Sequence, residues 1–107
     1  MNNNSKEEIL LIKILKKYKN ILSFIEDNKI EDSFNSIVCI KIDIESALEK
    51  LDPNLRSIID KTYIDGYSIE KIANITGEKS RILYNYRKEA IDKMIKILGK
   101  EWFNFDV

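Results

Sequence analysis

At 107 residues, with 44% apolar and 34% charged side chains, the chain has the size of one ordinary domain and a composition that excludes wholesale disorder. Three Gly and one Pro are too few for a sandwich or barrel that turns about every ten residues, and a formal net charge of zero means that any affinity for nucleic acid has to come from local clustering. The absence of His removes His-based triads, His proton shuttles and the commonest zinc sites, and a lone Cys39 excludes an internal disulfide.

The expected fold is therefore all-α. Ser5 followed by Glu7 and Glu8 reads as a helix start, with a capping hydroxyl and acids placed where the helix dipole favours them. Leu11, Ile14, Tyr18, Ile21 and Ile25 recur at alternating spacings of three and four, a stripe widened by Leu10, Leu15 and Leu22. Packing onto the rest of the chain is the simpler use of this stripe, and a homodimer seam stays open as the alternative. Lys13, Lys16 and Lys17 break the apolar run well short of the roughly 20 residues a bilayer span needs, so neither membrane insertion nor secretion is expected.

Polar, turn-forming residues over 26–35 end this helix and lead into a loop. Over 37–51 two periods compete. Val38, Ile40, Ile42 and Ile44 alternate as in a strand, while Ile37, Ile40, Ile44, Leu48 and Leu51 keep helical spacing. Helix is the expectation, because a single strand would leave its backbone groups without partners. Cys39, between Val38 and Ile40, reads as a small core residue in a reducing, cytoplasmic setting.

Asp52-Pro53 ends this segment and opens the next, whose inner face is Leu55, Ile58, Ile59, Thr62 and Tyr63 and whose stop is Asp65-Gly66. Ser68 caps a short helix carrying Ile69, Ile72 and Ala73. Thr76-Gly77 makes a turn, and a long helix runs over 79–98 to Gly99. Two helices joined by a tight Gly-containing turn form the helix-turn-helix unit: Ala73 suits the close approach, Gly77 the positive backbone angle, and Leu83 closes the small core.

On the second of these helices Lys79, Ser80, Arg81, Tyr84, Asn85 and Lys88 lie close to one face, while Leu83, Tyr86, Ala90 and Met94 point largely the other way. Arg and Lys can donate to guanine edges or phosphates, Asn can bond adenine twice, and Ser and Tyr hydroxyls fix the backbone. Six basic residues over 79–96, Arg87 among them, face two acids. Lys79, Ser80, Arg81, Tyr84, Asn85, Arg87 and Lys88 are the candidate DNA-binding set, with Arg56 and Lys61 or Lys71 as candidate backbone braces.

Leu51, Pro53, Arg56, Ile59, Tyr63, Gly66, Ser68, Ile72, Ala73, Gly77, Leu83 and Ala90 together resemble the C-terminal helix-turn-helix domain, region 4, of bacterial sigma factors. Ala47, Leu48, Leu51 and the run Tyr84-Asn85-Tyr86-Arg87-Lys88-Glu89-Ala90 resemble more narrowly the ArpU type of phage and prophage transcriptional regulators. The resemblance implies a regulator that binds double-stranded DNA, with RNA polymerase as a further partner. It departs from that family at Thr76, where an aliphatic residue is usual, and at Lys79, where a capping Ser or Thr is usual, so that Ser80 is the alternative cap.

The chain divides on this reading into an N-terminal helical segment, 1–50, the sigma region 4-like unit, 51–99, and an aromatic tail, 100–107. Trp102, Phe103 and Phe105 in the tail either fold back over the core or dock a partner, the first being simpler. No phosphate loop appears and the carboxylate pairs lie in polar surroundings, so no catalysis, cofactor or metal is expected. The rival reading is a helical interaction module, an anti-activator or adaptor that keeps the fold but not the DNA contact.

Overall fold

The structure is a computed structural model in which residues 5–29 and 36–104 are described. It is all-α: helices α1 (Lys6–Asp27), α2 (Ser36–Glu49), α3 (Pro53–Ile59), α4 (Ile69–Thr76) and α5 (Ser80–Leu98), with a short 3₁₀ turn, Lys100–Phe103, after the last. No strand occurs among the described residues. No helix among them is long and apolar enough to cross a membrane.

The Ser5 hydroxyl accepts the Glu8 backbone N–H at 3.1 Å and starts α1 as expected. Leu10, Leu11, Leu15 and Tyr18 are buried in the chain's own core, and the Tyr18 hydroxyl donates to Glu45 of α2 at 3.1 Å. Half of the eight-residue stripe on α1 is thereby covered from within, whereas Ile14, Ile21, Leu22 and Ile25 stay half-buried. The helix ends at Asn28, whose side-chain amide donates to the Phe24 carbonyl. Most of the loop expected over 26–35 lies outside the described residues.

In α2 the helical period prevails. Ile44, Ala47, Leu48 and the following Leu51 are buried, but Ile42, which a strand would turn inward with Ile44, is 49% exposed. Cys39 is a correction to the sequence reading, because it is exposed rather than in the core. One residue separates it from Ile40, and a helix turns each successive side chain by about 100°. That step carries Cys39 off the buried face.

Pro53 opens α3 at its first turn, with Leu55, Ile58 and Ile59 inside. The helix then widens into a π turn over Asp60–Ile64, which the apolar spacing had not indicated. Inside it, the buried Thr62 hydroxyl donates to the Ile58 carbonyl at 2.6 Å, and the Asp65 N–H reaches back five residues to the Asp60 carbonyl. Gly66, at φ 80°, ends the segment.

The long helix α5 is the axis on which α3, α4, α1 and α2 pack. Its Leu83, Ala90, Ile91 and Met94 are buried, together with Ile59 of α3, Ile69 and Ile72 of α4, and Leu11 and Leu15 of α1. Beyond Gly99 the chain turns back. Phe103 is buried and meets the Trp102 ring edge to face at 5.0 Å, and the Trp102 indole N–H donates to Asp43 of α2 at 2.8 Å. These two rings close the core; Phe105 lies outside the described residues.

The helical register of α2 has a direct measure. Ile44→Ala should lower the unfolding free energy by about 2 to 5 kcal/mol and Ile42→Ala by less than about 1 kcal/mol, read from urea midpoints. Equal losses at the two positions would contradict this packing.

Candidate nucleic-acid interface

The candidate surface is built at the junction of α4 and α5. The Ser68 hydroxyl accepts the Lys71 N–H at 3.1 Å and fixes the start of α4. At its end Thr76 serves two partners: its hydroxyl donates to the Ile72 carbonyl at 2.8 Å and accepts the Glu78 N–H at 3.2 Å. An aliphatic side chain could do neither, so a hydroxyl at this place tightens the turn. Gly77 takes φ 77° and donates its N–H to the Ala73 carbonyl at 2.8 Å, closing α4 with a left-handed cap.

Lys79 is the N-cap residue of α5, and no side chain caps that end. The Lys79 carbonyl accepts the N–H groups of Ile82 and Leu83, and Ser80 is the first helical residue rather than the substitute cap. Ile72 and Leu83 are buried between the two helices with Ala73 half-buried beside them. This local core sets the rotation of α5 about its axis.

With that rotation, Lys79, Arg81, Tyr84, Asn85 and Lys88 are exposed, and Ser80 is half-buried at the helix start. Arg81, Asn85 and Lys88 make no hydrogen bond or ion pair with the described residues. Leu83, Ala90 and Met94 are buried and Tyr86 is half-buried, as the wheel of α5 requires.

Two members of the set have partners within the chain. Arg87 is half-buried, its guanidinium 5.5 Å from the Tyr63 ring centre and 5.1 Å from that of Tyr84. It therefore lies on the flank of α5, between the π turn and the exposed face. The Tyr84 hydroxyl donates to Glu70 of α4 at 2.8 Å. Tyr63, Arg87, Tyr84 and Glu70 form a continuous series from the core to the rim of α4. Sequence spacing could place Arg87 near this face but could not show that two tyrosine rings would take it.

The basic residues further along do not all belong here. Lys93 pairs with Asp52 at 3.7 Å and with Glu89 at 3.4 Å, whereas Lys96 in the last turn of α5 is exposed and far along the helix from Arg81. Lys71 lies with its ammonium 4.7 Å over the Tyr67 ring, close to the start of α4. Arg56 is 3.9 Å from Asp60 and near enough to Tyr18 to stabilise its phenolate, so it belongs to the α1 side and is not gathered with Arg81. Lys61 lines a cleft of about 210 Å³ with Asn54, Ser57, Thr76, Leu83 and Tyr86, on the inner side of α5.

Among the described residues no cluster of three or more His, Cys, Asp or Glu could hold a metal ion. The chain matches no family model, no curated protein and no solved structure.

Three tyrosines have phenols raised above their ordinary value. Burial raises Tyr63, the Glu70 hydrogen bond raises Tyr84, and burial followed by Glu45 raises Tyr18. The Glu70 carboxyl is lowered, first by its own backbone N–H and then by Tyr84. Near pH 10 the unfolded chain ionises these phenols while the folded chain keeps their protons, so the folded state binds more protons and loses stability as pH rises. Urea midpoints should fall between about pH 9 and about pH 11. A midpoint that stays level over this range would contradict the packing of the three hydroxyls.

Proposed function

We propose that this protein is a sequence-specific DNA-binding regulator of transcription, with α4 and α5 as a helix-turn-helix and α5 as the reading helix. The observation that carries the proposal is the exposed, unpaired set Arg81, Asn85 and Lys88 on α5, with no acid in the sequence between Lys79 and Lys88. Those side chains are long enough to reach base edges when the helix lies in a major groove. Lys79, Ser80 and Lys71, around the helix starts, suit phosphate contacts that position without reading.

The resemblance to ArpU-type phage and prophage regulators and to sigma factor region 4 supports the same reading, and with it a cytoplasmic setting, no catalysis and RNA polymerase as a further partner. A homodimer would require a two-fold symmetric site with half-sites about one helical turn apart.

One observation favours a second reading, the helical interaction module. Tyr84 and Arg87, two of the seven candidate contacts, already have partners inside the chain, and the cleft beside Lys61 is wide enough for one side chain of another protein. That reading requires a stable protein complex and no salt-sensitive binding to DNA.

Selection of bound fragments from a random DNA library, with Arg81→Ala alongside, separates the two. A recovered consensus for which Arg81→Ala loses about 1 to 3 kcal/mol of affinity, at an unchanged melting temperature, is the expected result. No enrichment at low or at physiological salt would overturn the proposal in favour of the interaction module.

A further inference from the structure

The zero net charge of the chain is a balance between separated blocks. Residues 26–78 hold twelve acids and six bases, whereas residues 9–25 hold four lysines and no acid. Those lysines, Lys13, Lys16, Lys17 and Lys19, all lie on α1 and all are exposed. None makes an ion pair with the described acids, which pair instead with Lys41, Arg56 and Lys93.

We infer that this face of α1 is a second nucleic-acid contact, which holds the phosphate backbone without reading sequence. The inference rests on the DNA-binding reading of α5 and adds a surface to it. An amphipathic helix on a membrane inserts its apolar face, but here Leu11, Leu15 and Tyr18 are buried in the core and cannot turn outward. Between its exposed ends, Ile9 and Phe24, the outward side of α1 carries these four lysines and no acid, and its remaining apolar residues, Ile12, Ile14, Ile21 and Leu22, are each only partly exposed. A polyanion with regular spacing suits such a surface. From Lys13 to Lys19 the helix rises about 9 Å, the reach of two or three phosphates on one strand. The buried side of α1 packs on the same core as α5, so the two surfaces belong to one rigid body and each lysine is presented from an ordered helix.

The test is the salt dependence of binding to a mixed-sequence duplex by the full chain, by a variant with Lys13, Lys16, Lys17 and Lys19 all changed to Gln, and by Arg81→Ala. Because the four lysines are exposed, the quadruple variant should keep its helicity and melting temperature, and Lys16→Gln alone provides a milder control. The slope of log affinity against log salt should become shallower by about 2 to 3 in the quadruple variant, with the preferred sequence unchanged. A slope equal to that of the unaltered protein would overturn the inference, and an acidic protein would then be the partner to seek for α1. If the lysine variant loses slope while Arg81→Ala loses neither affinity nor selectivity, α1 stands and the α5 reading fails. If the unaltered protein binds no duplex at low salt, both fail.

Discussion

The burial of one side of α5 governs the rest of the molecule. Leu83 packs against Ile69 and Ile72 of α4 at one end, and Ala90, Ile91 and Met94 pack among α1, α2 and α3 at the other. Removing four such side chains from water is worth several kcal/mol in total, a large share of the stability of a domain of this size. A rotation of α5 by a single residue, about 100°, would drive Arg81 or Lys88 towards the core and leave charge without a partner there. The core thus fixes which residues α5 displays. Ala90, fully buried, permits the close approach on which this depends.

The same economy of side chains shapes the surface charge. Surface ion pairs each contribute about 0 to 1 kcal/mol, so the four observed pairs add little to stability. Their position matters more. They tie up Glu45, Asp52, Asp60 and Glu89 with Lys41, Arg56 and Lys93, while Lys13, Lys16, Lys17 and Lys19 of α1 and Arg81 and Lys88 of α5 form no ion pair with the described residues. A neutral total therefore says little about the local field, because exposed charges more than about 8 to 10 Å apart are largely screened from one another in physiological salt.

Much of this architecture was legible in the chain. The caps at Ser5 and Ser68, the stop at Gly77 and the helical spacing of Ile44 and Leu48 each follow from a local rule that tertiary packing agrees with. The π turn was not legible, since Thr62 satisfies the inward spacing of an ordinary helix and only the backbone bond from Asp65 N–H five residues back to the Asp60 carbonyl marks the widened turn. Cys39 was misread because it sits between two apolar residues, a cue that holds for a helix buried all round but not for a half-covered one. In the candidate interface, Arg81, Asn85 and Lys88 emerge where the wheel puts them. Arg87, which the wheel did not put on that face, meets Tyr63 from a different element, and no spacing within α5 encodes that meeting.

Tyr84 shows how a partnered side chain can still contribute to a surface. Its hydroxyl is exposed and bonded to Glu70, also exposed, so the bond exists in competition with water and adds little to stability. Giving up Glu70 for a phosphate oxygen would exchange one charged acceptor for another, an exchange near balance, and would leave Glu70 free to accept from water. The ring itself need not move far, because Arg87 lies against it and is in turn held by Tyr63. Ordering Tyr84 before an encounter removes part of the entropy lost on binding, while the negative charge of Glu70 beside it disfavours phosphate at that point. On the proposed DNA-binding reading, binding geometries that keep the backbone away from Glu70 would be preferred, and this carboxylate would orient a duplex across α5 without touching a base.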